Sequence, residues 1–244
     1  MDKTDPRVAI ATGASAPNGI GRAIAERLAR DGISVVVTDI DGTMQVDGTA
    51  VPHKELLDQV VAGIVQSGGT AMAHPLDVTN AQSIETCLQG VHDIYERVDI
   101  LVNNAGSLAG SDAFLSTTPA QWQTSFDVNL LGPTMMAQAV IPEMQAQGGG
   151  RIINIGSTGS LGAEPGFGAY TAMKHGLVGF TKTLAAENNI SVPEMKTRRY
   201  AHVAVRDAGM PADVANAVAY LARSEANYVT GISLPVRGGV PFGI

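Results

Sequence analysis

Along the chain, short runs of β-branched and aliphatic residues alternate with longer stretches whose apolar residues recur every three or four positions. This alternation predicts crossover units, in which parallel strands are joined by helices. Residues 7–11 read as the first strand. Residues 19–31 follow as a helix, with Ile20, Ala23, Ile24, Arg27 and Leu28 on one face. Residues 33–38 are apolar on both faces, as a strand inside a parallel sheet requires. Further strands are expected at 70–75, 99–102, 151–156 and 228–236, and further helices at 54–66, 81–96, 119–145, 169–188 and 212–223. Thr117-Thr118-Pro119 opens the longest of these, since proline suits a first helical turn. The polar, glycine-bearing stretch 41–52 reads as a loop. With no internal repeat or linker, the economical architecture is one α/β domain over 1–244: a doubly wound parallel sheet flanked by helices on both faces, a Rossmann fold.

Composition narrows the function classes. The 244 residues include 16 basic and 23 acidic side chains, a net charge of −7 that disfavours an electrostatic grip on nucleic acid or anionic lipid. A single cysteine, Cys87, excludes a disulfide scaffold and a thiol-only metal cluster. No stretch approaches the ~20 apolar residues of a membrane span. The start, Met-Asp-Lys-Thr-Asp, does not resemble a signal peptide, so a cytoplasmic location is expected. The 28 glycines suit tight turns and backbone that approaches a ligand closely.

Between the first strand and the first helix lies Thr12-Gly13-Ala14-Ser15-Ala16-Pro17-Asn18-Gly19-Ile20-Gly21. Glycines there let the chain turn sharply and present backbone N–H groups to a pyrophosphate, which a helix N-terminus also favours. An ordinary βα turn would use the same residues, but here the next strand ends in Asp39. A carboxylate in that place accepts hydrogen bonds from ribose hydroxyls and repels a 2′-phosphate, which favours NAD over NADP. A strand-end aspartate with a plain turn role is the alternative.

Further along, Tyr170 and Lys174 are four residues apart on a predicted helix and so share one face, with Ser157 thirteen residues before the tyrosine at the end of a strand. Reducing a ketone by hydride delivery needs a proton donor at the nascent alkoxide, and oxidation needs the same group as base. A phenol ordinarily titrates near pH 10, and a neighbouring ammonium favours its phenolate. Ser157 is placed to hold the carbonyl oxygen. Asn129, a poor helix former in mid-helix, fits a role in holding a water near the lysine.

The chain resembles the short-chain dehydrogenase/reductase family over nearly its whole length. Thr12, Gly13, Gly19 and Gly21 match the family's glycine motif, with five residues between the first two glycines instead of three. Asp77-Val78 matches the pair at the adenine, and Asn103-Asn104-Ala105-Gly106 the segment that lies along the cofactor. Ser157, Tyr170, Lys174 and Asn129 match the catalytic tetrad. The resemblance implies a cofactor site of Gly13, Ser15, Asn18, Gly19, Ile20 and Gly21, then Asp39, Ile40, Asp77, Val78, Asn104, Ala105 and Gly106, with Tyr170 and Lys174 reaching the nicotinamide ribose. It also implies a homodimer or homotetramer paired through the long helices and the last strand.

Other candidates read as bland. His53, His74, His92, His175 and His202 show no metal spacing with one another or with Cys87, and stand as surface or packing residues. The basic run Lys196-Thr197-Arg198-Arg199 reads as a solvated face, and 162–168 as one wall of a substrate pocket. Three departures from the family stand out. Roughly twenty residues are missing after Val192, where a strand and a substrate-binding segment are expected. A natural deletion of a central strand would expose unpaired backbone, so the expectation is instead that the protein has this segment and the sequence as given leaves it out, with a physical break between Asn188 and Lys196. Arg237 replaces a usual acidic residue, and 41–53 is unusually long. The expected function is an NAD-dependent oxidoreductase acting on a small secondary alcohol or ketone. A dehydratase or epimerase that keeps the nucleotide, and a non-catalytic NAD-binding subunit, are the alternatives.

Overall fold

A computed structural model describes residues 7–187, 210–227 and 229–236. Strand β1 (Val8–Thr12) leads into helix α1 (Ile20–Arg30) and strand β2 (Ser34–Asp39). A hairpin of β3 (Thr43–Val46) and β4 (Thr49–Pro52) then precedes α2 (His53–Gln66). There follow β5 (Ala71–Pro75), α3 (Ala81–Tyr95), β6 (Ile100–Asn103), α4 (Pro119–Phe126), α5 (Gly132–Ala146), β7 (Arg151–Asn154), α6 (Gly168–Glu187) and α7 (Pro211–Ala222).

Five strands form one parallel sheet in the order β5-β2-β1-β6-β7. Each central strand is apolar at almost every position because it is covered on both faces, and its side chains divide by strict alternation. Ala9, Ala11, Val35, Val37, Ile100 and Val102 pack with Ile24, Leu28, Leu57, Val60, Ile64 and Val218, so α1, α2 and α7 cover one face. Val8, Ile10, Val36 and Leu101 pack with Ile84, Cys87, Val91, Met136, Val140 and Met144, so α3 and α5 cover the other. Burial pushes the Cys87 thiol up to about 12, which makes it a core apolar group at neutral pH. From β1 the chain winds outward to β2 and β5, then returns to β6 on the other side of β1. That reversal opens a crevice at the carboxyl ends of β1 and β6, where sheets of this kind bind ligands.

The structure departs from the sequence expectations in three places. Residues 41–52, expected as a loop, form the β3–β4 hairpin. Its turn, Asp47-Gly48, has positive φ at both residues (48° and 79°), the geometry that matches the right-handed twist of paired strands. The expected single helix over 119–145 is interrupted by a π-helical turn, Asp127–Leu131, between α4 and α5. The expected last strand is absent over 229–236: a parallel strand exists only through its ladder, and no described strand pairs with that segment. Tyr228, Arg237, His202, the run 196–199 and the expected break between Asn188 and Lys196 lie outside the described residues. Among the described residues, no helix is long and apolar enough to cross a membrane.

Candidate functional site

The crevice is floored by a weld between the first and fourth strands of the main sheet in chain order. Asn104 Nδ2 donates to the carbonyls of Thr12 and Gly13 at 2.8 and 2.9 Å. In return, Thr12 Oγ1 accepts from the N–H groups of Asn104 and Ala105, both at 3.0 Å. The two loops approach so closely that side chains do not fit. A Cβ on Gly21 would stand 2.4 Å from the Gly13 carbonyl oxygen and 2.5 Å from Asn104 Nδ2. One on Gly13, whose φ is +66°, would stand 2.8 Å from Ala105 Cα. The two additional residues of the glycine loop are absorbed in a turn closed by the Gly19 N–H on the Ala16 carbonyl at 2.9 Å. Helix α1 then begins with no side-chain cap, leaving its first N–H groups available to an anion. Asn18 and Ile20 are exposed at this mouth.

At the end of β2, the Asp39 carboxylate is held rigidly. Its Oδ2 accepts from the Ser15 N–H at 3.0 Å and from Ser15 Oγ at 2.6 Å, and its Oδ1 from the Ile40 N–H at 2.9 Å. Ser15 is 1% exposed, so its hydroxyl orients Asp39 rather than pointing at the mouth. His53, expected as a surface or packing residue, joins this cluster with Nδ1 2.7 Å from Ser15 Oγ. No spacing in the sequence pointed to it, because the hairpin that returns the chain to this point was not foreseen. The Asp77 Oδ1 accepts from the N–H and hydroxyl of Thr79 at 2.9 and 2.7 Å. Val78 packs against Gly132, and Ile40 is exposed beside Asp39.

Ser157, Tyr170 and Lys174 line one cleft of about 800 Å³, together with Ile20 from the mouth of the glycine loop. Lys174 is 4% exposed; its Nζ donates to the Ile155 carbonyl at 2.9 Å and lies 5.6 Å from the centre of the Tyr170 ring. Burial lowers the Lys174 ammonium to about 8. Phe167 meets Tyr170 edge-on with ring centres 6.4 Å apart, but the stretch 162–168, expected as a wall of the substrate pocket, does not line this cleft. Ser157 Oγ accepts from the Gly159 N–H at 3.1 Å, while its own N–H donates to Ser160 Oγ at 2.9 Å. Asn129 is fully buried in the π-helical turn. Its Nδ2 donates to the Ser107 carbonyl at 2.8 Å and its Oδ1 accepts from the Ser107 N–H at 3.1 Å. The asparagine side chain therefore clamps the loop that follows Gly106, and its hydrogen bonds are to Ser107 and Ser125 rather than to Lys174.

A glycine cradle without side chains, an uncapped helix start and an oriented carboxylate fit a dinucleotide, whose nicotinamide end would then reach the Tyr170 cleft. The family model for short chain dehydrogenases matches residues 7–193. The human protein named dehydrogenase/reductase SDR family member 4 is 30% identical over 266 aligned positions, taking in 99% of this chain and 91% of that protein. That alignment is longer than the 244-residue chain, so the relative carries residues with no counterpart here. The 3-oxoacyl-(acyl-carrier-protein) reductase FabG of Vibrio cholerae is 35% identical over 254 positions, 96% of this chain and 97% of that protein. A crystal structure of a metagenomic short-chain oxidoreductase in complex with NADP matches with a TM-score of 0.75 at 32% identity, covering 93% of this chain and 95% of that one. That of a putative short-chain dehydrogenase/reductase from Burkholderia xenovorans matches at 0.81 and 28% identity, covering 96% of each chain.

The lowered Lys174 value has a consequence for stability. Below about pH 8 the lysine is charged in both folded and unfolded chains, and the folded chain bears the full penalty of burying it. Between about 8 and the ordinary 10.5 the unfolded chain binds the additional proton, so stability rises with pH across that window. Cofactor-free protein should gain roughly 3 kcal/mol from this group between pH 7 and 10.5. Urea unfolding of wild type and Lys174→Met at both ends of the window measures it, and parallel profiles would contradict the assignment.

Proposed function

The chain belongs to the short-chain dehydrogenase family of oxidoreductases, and from that premise we propose that it is an NAD(H)-dependent enzyme that interconverts a secondary alcohol and a ketone. The observation that carries this reading is the buried Lys174 ammonium beside the Tyr170 ring, in one cleft with Ser157.

When bound, the nicotinamide supplies or accepts the hydride. The chain's own residues manage the proton and the substrate oxygen. Tyr170 gives its phenolic proton to the oxygen as a ketone is reduced, and takes it back as an alcohol is oxidised. Lys174 makes that exchange easier, since a nearby positive charge stabilises the phenolate. One of its three N–H donors is spent on Ile155, which fixes the ammonium and leaves two for a ribose hydroxyl and the proton path. Ser157 donates to the same substrate oxygen and holds it at the tyrosine. Asn129 acts one step back, holding the 104–107 turn along which the cofactor would lie.

The choice of NAD rests on Asp39. Its carboxylate is oriented by Ser15 and Ile40, keeps acceptor capacity on Oδ1, and repels a 2′-phosphate. No lysine or arginine occurs between Gly13 and Gly21 or at 40–42 to offset that repulsion. The NADP-bound neighbour is the contrary case that makes the measurement decisive. A homodimer or homotetramer is part of the same proposal. Large exposed apolar side chains do not fall on α4, α5 or α6 among the described residues; Phe114 and Leu115, the latter 94% exposed, lie in a short 3-10 turn three residues before α4.

Three outcomes are expected. Tyr170→Phe should retain NAD binding and lose at least a hundredfold in turnover, the lower bound for removing a general acid; near-normal turnover would remove Tyr170 from that role. Asp39→Ala should weaken NAD binding and tolerate NADP better, with equal use of both cofactors by wild type as the result that defeats the claim. Light scattering at micromolar concentration should report a dimer or tetramer, and a monomer would refute it.

A further inference from the structure

A chain of hydrogen bonds runs from the first residue of α2 to the carboxylate at the end of β2. Asp39 Oδ2 and Ser15 Oγ are 2.6 Å apart, and a carboxylate has no hydrogen to give, so the hydroxyl spends its single proton on Asp39. The 2.7 Å contact between Ser15 Oγ and His53 Nδ1 must then take its hydrogen from the imidazole. Neutral His53 is therefore the Nδ1–H tautomer, with a bare lone pair on Nε2. Its backbone is pinned as well, the His53 N–H donating to the Gly42 carbonyl at 2.9 Å. Adding a proton leaves the Nδ1 bond intact, turns Nε2 into a donor, and places a positive charge whose Nδ1 is 3.9 Å from Asp39 Oδ2.

We propose that His53 is a specificity-determining residue at the adenosine end of the site: neutral, it leaves the Asp39 charge unopposed and the 2′-phosphate excluded; protonated, it offsets that charge and admits NADP. This rests on the role of Asp39 in cofactor choice proposed above.

The surroundings make Asp39 the dominant partner. The 40–42 turn adds Asp41, and the hairpin adds only Asp47, at its far turn. Within α2, Lys54 is held by Asp58 at 2.6 Å, and Glu55 is exposed. In α1, Arg22 and Arg30 both pair with Glu26; Glu26 and Arg30 lie beside Gly63–Ser67 at the opposite end of α2, and Arg27 pairs with Asp31. On β5, the His74 ring lies against Gly90 of α3, on the other face of the sheet.

The test measures dissociation constants of NAD and NADP by calorimetry at pH 8 and pH 5.5, for wild type and His53→Asn. Asparagine keeps a donor near the Nδ1 position and never carries charge. The ratio of the NADP constant to the NAD constant should fall about tenfold further in wild type than in the variant as pH drops, as expected for one charge gained a few Å away in a half-wet site. The 2′-phosphate's own second proton, near pH 6, affects both proteins alike. If wild type and His53→Asn change in parallel while both prefer NAD at pH 8, His53 has no such role and the Asp39 reading stands. If wild type shows no preference for NAD at pH 8, the Asp39 reading falls and takes this proposal with it. Should the variant fail to fold, the imidazole ¹⁵N shifts of wild type at pH 8 decide: a protonated Nδ1 with a bare Nε2 supports the proposal, and the opposite tautomer overturns it.

Discussion

Everything at the carboxyl edge of the sheet depends on how closely the β1 and β6 loops can approach. Asn104 makes the approach favourable by giving both amide hydrogens to carbonyls of the glycine loop. Thr12 completes it by accepting two N–H groups and donating its own proton to the Val102 carbonyl. These groups are buried or nearly so, and leaving any one unpaired would cost about 1–3 kcal/mol. The bare Cα atoms of Gly13 and Gly21 are the steric condition for the same contact. With the two loops locked, the start of α1 is aimed, Ser15 is seated against Asp39, and the turn that Asn129 clamps is fixed in place.

The same dependence explains the division of labour among polar residues. Ser15, Asn104 and Asn129 spend most or all of their hydrogen bonds inside the protein. The groups left with spare capacity are Asp39, the first N–H groups of α1, Ser157, Tyr170 and Lys174, which are the ones a dinucleotide and its substrate would use. Rigid positioning by one set of side chains is what keeps the other set free to bind.

The sheet was legible from the chain because parallel strands covered on both faces leave long apolar runs, and the helices between them keep a strong 3.6-residue period. Ser157, Tyr170 and Lys174 were legible because their spacing puts them on one strand end and one helix face. What the chain hid were features set by backbone events with no periodic signal. Asp47-Gly48 sits inside a polar stretch whose alternation is too weak to read as strands, so the hairpin and the place of His53 went unseen. The π-helical turn at Asp127–Leu131 carries no proline or glycine to mark a break in the helix, and only the packing shows that Asn129 is turned fully inward. The strand expected over 229–236 has suitable residues, but a strand is a relation between two segments, and its neighbour cannot be read from its own composition.

The place of β1 at the centre of the sheet has a consequence for the order in which the protein can form. Ala9 pairs with Val35 on one side and Ile100 on the other, so one ladder closes over a short stretch and the second only across 91 residues. A ribosome adding 5–20 residues per second needs roughly 5–20 s to make that stretch. For that interval β1 carries an open edge of unpaired N–H and C=O groups, and the glycine loop has no Asn104 to hold it. The dinucleotide cradle therefore comes into being late, as the product of a long-range loop closure rather than of the local strand–turn–helix that spells it out in the sequence.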